Sequence, residues 1–136
     1  MSVINISSVE QYKKIKNNGL VIVDYYTTWC SPCKKFAPIF QEIAQNNPGV
    51  KFLSVDSEAI KHEDCENITT VPTFRVFFNG IIKREFSGVD KERLERYIKR
   101  YEIQVFINGR TQRIFPEETK EKIINYMNNL VDNDDE

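Results

Sequence analysis

Leu20-Val21-Ile22-Val23 is an uninterrupted apolar run that ends in a carboxylate, Asp24, and seven residues after Val23 the chain reads Cys30-Ser31-Pro32-Cys33. Four consecutive apolar side chains cannot alternate between core and water, so a strand here must be buried on both faces. Such a strand needs neighbouring strands beside it and a covering layer above and below. That requirement alone confines the fold to a sheet layered between helices.

The flanking sequence supplies the layers. Ile4 and Ile6 fit a short first strand, and Ser7-Ser8-Val9-Glu10 reads as a capping box for a helix with Val9, Tyr12 and Ile15 on one stripe. Gly19 suits its left-handed end. A second helix is predicted from about Ser31 to Asn46, with Phe36, Ile39, Phe40 and Ile43 at helical spacing. Pro38 should kink it, and Pro48-Gly49 stops it. Phe52-Leu53-Ser54-Val55 gives the next strand, and Asp56-Ser57 caps a short helix over residues 58–66. Thr73 to Phe78 and Ile81 to Phe86 flank Asn79-Gly80, the dipeptide that supplies both positive φ values of a two-residue hairpin turn. Asp90 then caps a helix with Leu94, Tyr97, Ile98 and Tyr101 at i, i+3, i+4 and i+7. The order βαβαβαββα predicts an α/β chain with a mixed central sheet and helices on both faces.

Cys30 leaves the buried strand and enters the second helix. Unpaired amides and the positive dipole end at a helix N-terminus favour a thiolate over a thiol. Two intervening residues put Cys33 within one turn, near enough for disulfide formation and for attack. Pro32 suits the first turn, where its missing N–H costs nothing. Zinc ligation by Cys30, Cys33, His62 and Cys65 is the competing reading, but the two pairs fall in different elements. No metal site is expected. His62 reads as an exposed helix residue and Cys65 as a partly exposed structural thiol.

Charge and composition exclude other classes. Nineteen basic against 20 acidic residues, net charge −1, leave no basic excess for phosphates, so no nucleic-acid partner is expected. No apolar run approaches the ~20 residues that span a bilayer. Met1-Ser2-Val3-Ile4-Asn5 lacks a secretory pattern. No membrane association and a cytoplasmic location are the expectations.

Together, Val23-Asp24, Trp29-Cys30-Ser31-Pro32-Cys33-Lys34, Pro38, Phe52-Leu53-Ser54-Val55-Asp56, Val71-Pro72-Thr73-Phe74 and Phe86-Ser87-Gly88-Val89 resemble the thioredoxin family from Met1 to about Tyr101. The resemblance implies a thioredoxin fold and a protein disulfide reductase that needs no cofactor beyond a redox-active Cys30–Cys33 disulfide. It implies that Cys30 attacks a substrate disulfide, that Cys33 resolves the mixed disulfide, and that buried Asp24 serves Cys33 as acid and base. Trp29, Pro32, Val71 and Pro72 would form the substrate surface, Pro72 as the family's cis-proline. Disulfide-containing proteins are the implied substrates, and an NADPH-dependent thioredoxin reductase the implied electron donor. Ser31 stands where the commonest motif has glycine. Phe52 and Ala37 align with lysines that accompany the aspartate in familiar thioredoxins. Histidine is absent between the cysteines, unlike disulfide isomerases, which favours a reductant. The alternative class is a binding module that uses this fold as an adaptor.

The resemblance stops at residue 101, and so does the predicted first domain (1–101). Residues 102–136 carry 4 basic and 8 acidic side chains against 15 and 12 before them, and Asp132 to Glu136 reads as a disordered acidic tail. A shift of 29 residues aligns Phe77-Phe78-Asn79-Gly80 with Phe106-Ile107-Asn108-Gly109, which predicts a second hairpin and helix over 102–131. Ile123, Met127, Leu130 and Val131 would be that helix's apolar stripe, packed on the body or on a second copy, giving a monomer or a homodimer. An Asn-, Ile- and Lys-rich extended chain of this kind resembles those of large DNA viruses or protists, which would place it in a host cytoplasm or virion.

Overall fold

A computed structural model describes residues 2–114, with side chains as far as residue 105. The chain divides into two units, Met1–Lys91 and Glu92–Glu136. The first holds β1 (Ile4–Asn5), α1 (Val9–Lys16), β2 (Leu20–Tyr26), α2 (Ser31–Asn46), β3 (Lys51–Asp56), α3 (Glu63–Glu66), β4 (Thr73–Phe78) and β5 (Ile81–Ser87). The five strands form one sheet in the order β1-β3-β2-β4-β5. β2 pairs in parallel with β3 and antiparallel with β4, so the apolar run occupies the centre of a mixed sheet.

Alternation along β2 sorts the two faces. Asp24 shares one face with Phe74 of β4, and there Phe36 and Phe40 of α2 meet Phe74 and Phe52 at ring-centroid distances of 5.3 and 5.5 Å. Tyr25 points to the other face, where Tyr12 of α1, Ile60 and Cys65 of α3 join Val21, Val23, Leu53 and Val55 in the core. Helices therefore cover both faces within this unit, as a doubly buried strand demands.

The second face also carries a polar network. The Asp64 carboxylate accepts from Tyr12 Oη (2.7 Å) and Lys16 Nζ (3.2 Å). Arg75 donates to the Asp64 carbonyl and to Glu85 (each 2.8 Å) and lies over the Tyr25 ring. Burial alone would raise the Asp64 pKa, but the bonds from Tyr12 and Lys16 outweigh it and hold the carboxyl below its ordinary range.

Several local expectations need correction. The α1 N-cap sits one residue later than expected: Ser8 Oγ accepts from Gln11 N–H at 3.1 Å, and Gln11 Oε1 accepts from Ser7 N–H at 2.7 Å. The returning bond thus reaches the residue before the cap, and the expected box from Ser7 to Glu10 does not form. α3 is only four residues long. It is capped by His62, whose Nδ1 accepts from Asp64 N–H at 3.0 Å and whose ring packs on Tyr12. His62 is thus largely buried, and Cys65 is fully buried. The Asn79-Gly80 turn is as expected, with φ of 51° and 83°. β5, an edge strand, carries an irregularity that skips Lys83, a charged bulge that discourages edge pairing.

α4 (Lys91–Ile114) begins at the last residue of the first unit and makes up the described part of the second, and its Leu94, Tyr97, Ile98 and Tyr101 are buried. α4 continues through the boundary expected at Tyr101 and through Asn108-Gly109, where a second hairpin was expected. Extending an existing helix adds one bond per residue fixed, whereas a new hairpin must be nucleated and is marginal alone. Asn-Gly makes a turn only where flanking strands have partners. The predicted helix carrying Ile123, Met127, Leu130 and Val131, and the acidic tail, lie outside the described residues. Gly109 gives a test. In a helix Gly109→Ala should raise stability by about 0.5–1 kcal/mol, whereas in a type I′ turn it would lower it, and thermal melts of the two proteins separate the cases.

Candidate active site

β2 delivers the site. It ends at Tyr26, the chain turns through Thr27 to Trp29, and Cys30 becomes the N-cap of α2. The capping group is the sulfur itself: Cys30 Sγ accepts from Cys33 N–H at 3.2 Å, the role a Ser or Asp oxygen has at other helix starts. The same amide and the α2 dipole would stabilise a Cys30 thiolate after reduction. Cys30 and Cys33 are joined as a disulfide with Cα atoms 5.3 Å apart, and both are buried. Ser31 and Pro32 are exposed on the first turn of α2.

β4 runs antiparallel to β2, so it begins where β2 ends. The Val71–Pro72 peptide, immediately before Thr73, is cis. Topology therefore brings Val71 and Pro72 to the sheet end that carries Cys30 and Cys33. Trp29 is 66% exposed, and its indole N–H is fixed by Glu58 Oε1 at 3.1 Å. Glu58 in turn sits on a turn whose amides bond Asp56 Oδ1. Sequence reasoning missed Glu58, because a single exposed glutamate 29 residues from Trp29 carries no signal.

Asp24 lies on the sheet face that α2 covers, buried, and among the described residues its Oδ1 has no hydrogen-bond partner. Burial pushes its pKa up to about 7. Its in-register neighbours are Ser54 on β3 and Phe74 on β4. Phe52, which aligned with one of the family's lysines, stands instead beside Ile22, so Ser54 is the polar side chain nearest in register. Lys34, Lys35 and Ala37 are exposed and do not supply a buried cation.

Of the four residues in the zinc reading, Cys30 and Cys33 are joined as a disulfide, and Cys65 lies in the core of the opposite sheet face. Among the described residues no three His, Cys, Asp or Glu side chains gather. Cys65 is free and buried on the far face, and burial pushes its pKa up to about 11, which keeps it a thiol at neutral pH. No helix among the described residues is long and apolar enough to cross a membrane.

A disulfide capping a helix at the end of a doubly buried strand, beside a cis-proline, defines a thiol–disulfide oxidoreductase. The thioredoxin family model matches residues 2–100. The chain is 36% identical over 88 residues to thioredoxin 1 of Plasmodium falciparum, covering 64% of this chain and 85% of that protein. It is also 36% identical over 104 residues to chicken (Gallus gallus) thioredoxin, covering 72% and 94%. The solved structure of Plasmodium falciparum thioredoxin superposes with a TM-score of 0.65 at 34% identity, over 72% of this chain and 98% of that one. This chain belongs to the thioredoxin family, and its redox centre is the Cys30–Cys33 disulfide.

The Asp24 shift makes a stability prediction. The unfolded carboxyl ionises in the ordinary range and the folded one near pH 7. Between those values the folded state holds a proton that the unfolded state has released, so stability falls as pH rises. Asp24→Asn should therefore match the parent protein near pH 4 and exceed it by a few kcal/mol above pH 8. Denaturant titrations across that range check this; a pH-independent gap would remove the buried charge as its cause.

Proposed function

We propose that the protein is a disulfide reductase in which Cys30 is the nucleophile, Cys33 the resolving thiol and Asp24 the proton acceptor for Cys33. The Cys30 thiolate attacks one sulfur of a substrate disulfide, forming a mixed disulfide and releasing the other sulfur as a thiolate that takes a proton from solvent. Cys33 then gives its proton to the Asp24 carboxylate and attacks Cys30 Sγ. The second substrate sulfur leaves as a thiolate and is protonated in turn. Two electrons pass to the substrate, and Cys30–Cys33 is left oxidised. The observation that carries this reading is the Cys30 sulfur on the α2 N-terminus, bonded by the Cys33 amide.

Electron donation by an NADPH-dependent thioredoxin reductase, and a cytoplasmic setting, belong to the same proposal, since a reductant needs a regenerating source. Trp29, Pro32, Val71 and Pro72 are assigned to the substrate surface. Every residue given a role precedes Lys91, and the part beyond is assigned to stability or self-association, as a monomer or homodimer.

Reduction of a protein disulfide with dithiothreitol as electron source tests the whole reading, and a rate no higher than the thiol alone would favour the adaptor alternative. Cys30→Ser should abolish turnover, because a hydroxyl is not appreciably ionised near neutral pH. Cys33→Ser should instead accumulate mixed disulfides on Cys30, detectable by non-reducing electrophoresis. Identical behaviour of the two variants would overturn the assignment of roles. Asp24→Asn should slow resolution roughly tenfold or more at pH 7, the scale of a lost acid–base group. Cys65→Ser, removing a buried thiol on the far face, should leave turnover within about twofold of the parent protein.

A further inference from the structure

Three of the four amides of α3 end on His62. The Cys65 and Glu66 N–H groups donate to its carbonyl at 2.9 and 3.3 Å, and the Asp64 N–H donates to Nδ1 of its ring at 3.0 Å. A ring nitrogen accepts only while it carries no proton. The cap therefore requires a neutral imidazole with its hydrogen on Nε2.

Nδ1 also faces a second group of the same residue, since Asp64 Oδ2 lies 3.5 Å away. That carboxylate is partly desolvated, yet the bonds from Tyr12 Oη and Lys16 Nζ of α1 hold it in its charged form. The His62 ring packs edge-on against Tyr12 at 5.1 Å between centroids, and its side chain is 11% exposed. Arg75 of β4 bonds the Asp64 carbonyl, and the flanking Lys61 and Glu63 are exposed. Nδ1 is thus poised between an amide that needs an acceptor and a carboxylate that can take a donor.

We propose that His62 is a pH-sensitive switch, in which a proton on Nδ1 exchanges the Asp64 amide for the Asp64 carboxylate and uncaps α3, the helix that carries Cys65. A proton from solvent turns the acceptor into a donor. The Asp64 N–H then faces another N–H, while the carboxylate gains a charge-assisted bond. A helix of four residues has few bonds to lose, so the segment opens more often and Cys65, now buried, becomes reachable. Histidine is the side chain whose ordinary charge change falls between pH 5 and 8, so that is the range in which the exchange occurs.

The chain has one histidine and, with Cys30–Cys33 closed, one free thiol, so both groups can be followed in the full-length oxidised protein. His62→Asn keeps a capping oxygen and cannot be protonated in this range. The measurement is the rate at which N-ethylmaleimide alkylates Cys65 in the parent divided by the rate in His62→Asn. Taking the ratio cancels the pH dependence of the thiol itself and that of Asp24, which also titrates here. The ratio should lie within about twofold of one at pH 8 and rise about fivefold at pH 5.5, the scale of one lost N-cap. A ratio at pH 5.5 within twofold of its pH 8 value would overturn the switch. Ring nitrogen chemical shifts of the parent should pass from the Nε2–H tautomer to the doubly protonated ring over the same range, and the Asp64 amide should lose protection from hydrogen exchange with them. A ring still neutral at pH 5.5, or a doubly protonated ring with the Asp64 amide as protected as before, would also overturn it. Should His62→Asn not fold, these two readings of the parent decide alone.

Discussion

β2 has strands on both sides and helices on both faces, and the chemistry depends on where that strand ends. Because its interior positions admit no water, a carboxyl at Asp24 loses its hydration, and because the strand stops two residues later, the following segment is delivered to the start of α2. The antiparallel β4 must then begin at the same end, which brings Val71 and Pro72 alongside. The dithiol, the buried carboxyl and the peptide before Thr73 share one end of the sheet through one topological fact. Their sequence separation of nearly fifty residues is bridged by register rather than by loops.

What could be read from the sequence follows the same logic. The apolar run, Asn79-Gly80 between two strand-forming segments and Cys30-x-x-Cys33 are local signals, and each falls where expected. Asn108-Gly109 is the same dipeptide and lies within a helix, because turn propensity decides only when flanking strands have partners. Ser54 and Glu58 were not legible as neighbours of Asp24 and Trp29. Ser54 meets Asp24 through parallel register, and Glu58 meets Trp29 through a bond across 29 residues. Polar contacts of this kind leave no periodic trace. The apolar pattern reveals the layers but not which hydroxyl meets which carbonyl.

The two faces of the sheet treat a buried carboxyl in opposite ways. On the face with α1 and α3, Asp64 is desolvated, yet bonds from Tyr12 and Lys16 keep it an anion throughout the neutral range. On the face with α2, Asp24 is desolvated, and among the described residues one of its oxygens has no hydrogen-bond partner to offset the cost of its charge. The difference is one of depth and of donors together, since Asp24 is buried and Asp64 only partly so. A single added donor at Asp24 would stabilise the carboxylate and draw its pKa back down, as it does at Asp64. The unsatisfied oxygen is therefore a place where stability is given up for a proton affinity near neutrality. A carboxyl poised there can take a proton from a thiol and release it within one cycle, whereas one held like Asp64 could only remain charged.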